Sequence, residues 1–86
     1  GISGQVFRYG CVFVVDKNTP NLEKKRLEYP IMLAEKLQSA IAAPIVSNNK
    51  TIGVLLIGSR IIQQYPESLV SKVKEFADEM AEIITC

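Results

Sequence analysis

Residues 39–58 read Ser-Ala-Ile-Ala-Ala-Pro-Ile-Val-Ser-Asn-Asn-Lys-Thr-Ile-Gly-Val-Leu-Leu-Ile-Gly, and no other stretch restricts the fold as strongly. Two apolar runs, Ala40–Val46 and Thr51–Ile57, flank a short polar turn. Asn48-Asn49 suits a two-residue hairpin, because Asn tolerates the positive φ that tight hairpin turns require. Both runs are apolar along most of their length, which predicts a sheet covered on both faces by helices or by a ligand.

The chain has 86 residues, the length of one small domain, and we read 1–86 as a single unit. Its 48% hydrophobic content excludes a disordered chain. The longest uncharged run, Leu37–Asn49, contains Pro44 and falls short of the roughly 20 apolar residues of a membrane span. No basic segment followed by an apolar core opens the chain as in a secretory leader. A net charge of +1 with six aromatic residues gives no nucleic-acid footprint. Lys24-Lys25-Arg26, the one basic run, fits a solvated helix face. Cys11 and Cys86 share no motif spacing, and reduced thiols in a cytoplasmic protein are the expectation. The chain contains no His, the commonest metal ligand and general base, and no cofactor is expected. It opens at Gly1 inside a helix-forming segment, the expectation for an N-terminally truncated domain.

Ile2, Val6, Phe7 and Tyr9 fit a short amphipathic helix that Gly10 stops. Cys11–Asp16 is a strand of mostly β-branched apolar residues closed by an acid. Thr19-Pro20 predicts a helix start, with Thr19 as cap and Pro20 in first position. Pro30 disfavours helical geometry at Tyr29, so this helix ends near Leu27 and a second runs from Pro30 towards Gln38. The hairpin follows, and Pro66-Glu67 opens the last helix. The expected architecture is α/β (α+β): an antiparallel sheet of about three strands flanked by helices.

The hairpin, with Ala43-Pro44-Ile45 closing its first strand and Ile52-Gly53-Val54-Leu55 in its second, resembles the central hairpin of a GAF domain. Gly1-Ile2-Ser3-Gly4 resembles the Gly-x-x-Gly that opens a short GAF helix. Val12–Asp16 is similar to the strand ending in an acid, and Tyr65-Pro66-Glu67 to the opening of the final helix. The resemblance covers the later part of the GAF fold; the first helix and first two strands have no counterpart. The effector domains of IclR-type transcription regulators carry a similar tail. Leu27–Leu37 is most similar to the nitrate-sensing accessory proteins of bacterial two-component systems. The resemblance implies a small-molecule sensor in a signal-transduction or transcription-regulatory protein, with nitrate or another small anion as ligand. The alternative is a ligand-free dimerisation or scaffold module.

In the GAF arrangement, helix starts at Gly1–Gly4 and Pro30–Leu33 border a cavity beside the sheet. Ile2, Ser3, Gly4, Phe7, Tyr29, Pro30, Ile31 and Met32 are the candidate ligand-binding residues. Free N–H groups and small residues would meet a weakly hydrated anion, and apolar side chains would wall it. The same residues equally suit ordinary core and capping roles. Glu28 argues against an anion. The enzymatic GAF relatives, free methionine sulfoxide reductases, need a Cys just before the strand that ends in Pro. Leu33–Ser39 has none, and a non-enzymatic role is expected.

In the last helix, Leu69, Val73, Phe76, Met80 and Ile83 follow 4-3-4-3 spacing and form one stripe. Val70, Ala77, Ala81 and Ile84 form another beside it. One stripe docks a helix on a sheet. We therefore expect the second, Val70/Ala77/Ala81/Ile84, to meet a partner: a second copy or a sensor kinase.

Overall fold

The computed structural model describes Gly4, Val6, Arg8 and residues 10–85. Gly4, Val6 and Arg8 are helical. The Gly10 N–H closes on the Val6 carbonyl at 2.8 Å, and Gly10 takes φ 65°. A left-handed residue at that point stops the helix, the role its sequence position predicts. Ile2, Ser3 and Phe7 lie outside the described residues.

Strand β1 spans Phe13–Val15, shorter than the expected Cys11–Asp16. Beyond Val15 the chain turns, and the Lys17 N–H bonds the Gln63 carbonyl at 3.0 Å. The Asp16 carboxylate accepts the Asn18 N–H at 2.9 Å, and the Thr19 hydroxyl accepts the Asp16 N–H at 2.9 Å. This turn occupies the Thr19 side chain, so Thr19 does not cap the helix that follows. Helix α1 spans Leu22–Leu27 and starts instead after Asn21, at φ 55° with no side-chain cap.

Helix α2 spans Pro30–Ala34, and Tyr29 before it is extended, at φ −116° and ψ 99°. The ring of a proline clashes with a helical predecessor, so the boundary follows from the sequence. The helix ends well short of Gln38. Lys36 takes φ 56°, the Leu37 N–H bonds the Met32 carbonyl at 2.8 Å, and the Lys36 N–H bonds the Leu33 carbonyl at 3.3 Å. This pair of bonds is a Schellman stop, with lysine where glycine is the comfortable residue. Lys36→Gly is therefore expected to stabilise the fold by about 0.5–1 kcal/mol, since the left-handed strain exceeds the added chain entropy. Urea unfolding checks it; a loss of stability would mean that the Lys36 side chain contributes more than its backbone costs.

Strands β2 (Ser39–Ser47) and β3 (Lys50–Ser59) form the hairpin. Ser47 faces Lys50 across Asn48 at φ 51° and Asn49 at φ 62°, the two left-handed residues of a type I′ turn. Pairing jumps from Ile45↔Gly53 to Val46↔Thr51, so Ile52 is the extra residue of a β-bulge. The sheet order is β1-β2-β3, antiparallel throughout. Gly58 permits a close approach: a Cβ there would stand 2.5 Å from Leu37 Cδ1.

Ser39 to Ile45 are all buried, so the central strand is covered on both faces, as its unbroken apolar run predicts. The cover does not extend along β3, where Ile52 and Ile57 are exposed. Among the described residues β3 has a neighbour on one side only.

Helix α3, Glu67–Thr85, lies across β2. Here the expected division of stripes is corrected. Val73, Ala77 and Ala81 are buried with half-buried Val70 against Ile41, Ala43 and Ile45. Leu69, Phe76, Met80, Ile83 and Ile84 are exposed. Of the expected interface set, Val70, Ala77 and Ala81 therefore belong to the core, and Ile84 alone faces outward. The reason is size: two alanines let the helix axis approach the sheet closely, whereas Phe76 and Met80 would hold it off.

Candidate functional site

The face of the sheet opposite α3 carries the second apolar cluster. Val6, Val15, Tyr29, Met32, Ala40 and Ala42 are buried there, with Phe13, Leu22, Leu37, Val54 and Leu56 packed around them. The ring of Tyr29, whose backbone is extended ahead of Pro30, is buried in this cluster. It meets Phe13 edge to face, with centroids 5.7 Å apart and planes at 85°. Alanines at positions 40 and 42 leave room over β2 for this ring and for the fully buried Met32.

The structure thus brings two candidate residues, Tyr29 and Met32, together beside Val6. Pro30 and Ile31 lie exposed on the outer side of α2. Gly4 is exposed and helical, and a Cβ added there would have no atom within 4 Å. Among the described residues the cluster closes on itself and encloses no cavity.

The start of α2 also offers fewer donors than a longer helix. Pro30 has no N–H, and the N–H groups of Met32 and Leu33 both bond the Tyr29 carbonyl, at 2.9 and 3.3 Å. At most the Ile31 N–H is left for a ligand. No group of three metal-ligating side chains occurs among the described residues, and no described helix is long and apolar enough to cross a membrane. Cys11 is exposed and unpaired with another cysteine.

One buried polar pair was not anticipated from sequence. The Ser39 and Tyr65 hydroxyls lie 2.9 Å apart, and Ser39 Oγ donates to the Ile61 carbonyl at 3.0 Å. This ties the segment after β3 to the start of β2. A lone tyrosine ahead of Pro66 was the only available signal.

Solved structures support the same architecture. NreA from Staphylococcus aureus, in a form mutated in its nitrate-binding site, is 30% identical, covering 78% of this chain and 49% of its own, with a TM-score of 0.64. A free methionine-R-sulfoxide reductase from Neisseria meningitidis, solved with its substrate, is 25% identical over 95% of this chain and 46% of its own, with a TM-score of 0.73. The GAF domain of the cyanobacteriochrome TePixJ shares the fold at 17% identity, over 95% of this chain and 51% of its own, with a TM-score of 0.73. No protein-family model and no curated protein matches the sequence. The chain is GAF-like, a partial GAF-like fold that spans about half the length of the solved proteins it matches.

Proposed function

We propose that this chain is a small-molecule-sensing regulatory domain of a bacterial signal-transduction or transcription-regulatory protein, cytoplasmic and non-enzymatic, with nitrate or another small anion as ligand. The similarity to NreA at 30% identity carries this reading. The ligand would sit beside Val6, Tyr29 and Met32, held by backbone N–H groups and apolar walls. A phosphate or nucleotide would call for charged side chains there, and neither Gly1–Phe7 nor Tyr29–Ala34 contains a Lys or Arg. Binding would act by population shift, favouring one packing of the cluster and, through the sheet, of α3. Against an enzyme of the sulfoxide-reductase type stand the missing Cys in Leu33–Ser39 and the missing His.

The second reading is a ligand-free dimerisation or scaffold module. The closed Tyr29–Met32 cluster and the outward apolar face of α3 favour it.

Thermal unfolding in nitrate, chloride, phosphate and cyclic nucleotide separates the two. A specific ligand at a hundredfold its Kd adds about 2.7 kcal/mol to folding stability. The sensor reading expects that rise with nitrate and none with chloride. Equal curves in all four solutions would leave the scaffold reading; a rise with cyclic nucleotide alone would remove the anion and keep a sensor.

A further inference from the structure

Helix α2 stops against its own sequence. Ala34, Glu35, Lys36, Leu37 and Gln38 all belong to the strongest helix-forming types, and none is a glycine, a proline or β-branched. Yet the helix ends at Ala34, with Lys36 held at φ 56°. A left-handed backbone at a residue with a Cβ persists only where its surroundings over-determine it. Local preference and observed backbone therefore disagree over one turn of chain.

Two arginines hold the stop from opposite sides. From α1, Arg26 Nε donates to the Leu37 carbonyl at 3.0 Å, and the Arg26 side chain is only 14% exposed. Its Nη1 lies 3.3 Å from the Glu23 carboxylate, which orients it. From beyond β3, Arg60 Nε donates to the Glu35 carbonyl at 3.1 Å, and Nη2 stands 3.7 Å from the Glu35 carboxylate. The two grips differ in strength. A charge-assisted bond shielded from water outweighs one whose side chain is 72% exposed. Leu37 adds an apolar contact against Gly58, and the Gln38 N–H bonds the Ser59 carbonyl at 2.8 Å. Every one of these contacts lies within the described residues.

We propose that residues 35–38 form a two-state segment. In one state it is a left-handed stop clamped by Arg26 and Arg60; in the other α2 runs on by about one turn. In the helical state Lys36 is right-handed, and the Glu35 and Leu37 carbonyls turn along the helix axis, away from both arginines. Leu37 then leaves Gly58 and the cluster that holds Tyr29 and Met32. The switch requires no ligand and stands apart from the sensor reading.

Nuclear magnetic resonance at Lys36 tests it, because backbone chemical shifts and scalar couplings distinguish left-handed from right-handed backbone. Arg26→Met keeps the apolar stem and removes the donor. It is expected to raise the helical population at Lys36 tenfold or more. Adding Lys36→Gly should restore the left-handed stop, because glycine adopts that backbone freely and is a poor helix former. Arg60→Met, which removes the more exposed grip, should give a smaller shift in the same direction. A Lys36 that stays left-handed in both arginine variants would overturn the proposal. So would a segment that loses its order without turning helical, for then the arginines merely fasten an irregular loop. Amide exchange at Ile41 and Ala42 in β2 shows whether the sheet survives. Should Arg26→Met unfold the sheet, Arg60→Met decides alone: a helical gain supports the switch, and an unmoved Lys36 overturns it.

Discussion

Ala77→Lys is expected to unfold the domain, while Phe76→Lys, one residue away, is expected to leave a dilute sample folded. Ala77 is fully buried between α3 and β2, in the cluster with Ile41, Ala43 and Ile45. A lysine there must either bury an unpaired ammonium or force the helix off the sheet. Either outcome costs more than about 4 kcal/mol, the scale of the largest single-residue effects, against the roughly 5–15 kcal/mol that holds a domain together. Phe76 is half in solvent, and lysine is the better helix former, so the change there should stay within about 0.5 kcal/mol. Urea unfolding followed by far-ultraviolet circular dichroism reads both. If Phe76→Lys unfolds the chain and Ala77→Lys does not, α3 docks by its other stripe and the structural assignment is wrong.

The second large effect tests whether the Tyr29–Met32 cluster is core or an open site. Met32 has no exposed surface and lies among Val6, Val15, Tyr29, Ala40 and Ala42. Met32→Ala should cost about 2–5 kcal/mol through lost burial and the cavity left behind. Met32→Leu, similar in volume, should cost under about 1.5 kcal/mol. If Met32 instead lined an open ligand pocket, truncation would cost under about 1 kcal/mol and its main effect would be on nitrate affinity. Paired measurements of urea midpoint and nitrate response on the two variants separate these outcomes.

The candidate site was only partly legible in the sequence. Pro30 fixed the extended backbone at Tyr29, because that constraint acts between adjacent residues. That Tyr29 and Met32 turn inward while Pro30 and Ile31 face out depends on where α2 lies over Ala40 and Ala42, a separation the local sequence does not encode. The early end of α2 was hidden for a different reason. A lysine in the left-handed position carries no warning, whereas a glycine would have. The Ser39–Tyr65 contact joins residues 26 apart along the chain, and neither residue type announces such a partner.

By itself the sequence determined the hairpin, its Asn48-Asn49 turn, the helix boundary at Pro30, the stop at Gly10 and the antiparallel three-stranded sheet. These rest on backbone preferences and on apolar periodicity, which act over a few residues. Only the tertiary structure decided which stripe of α3 is core. Both stripes satisfy helical periodicity equally well. The choice falls to the pair of alanines, because close packing rewards the face whose side chains let the backbone come nearest to β2. The larger residues are left outside, where another surface can meet them.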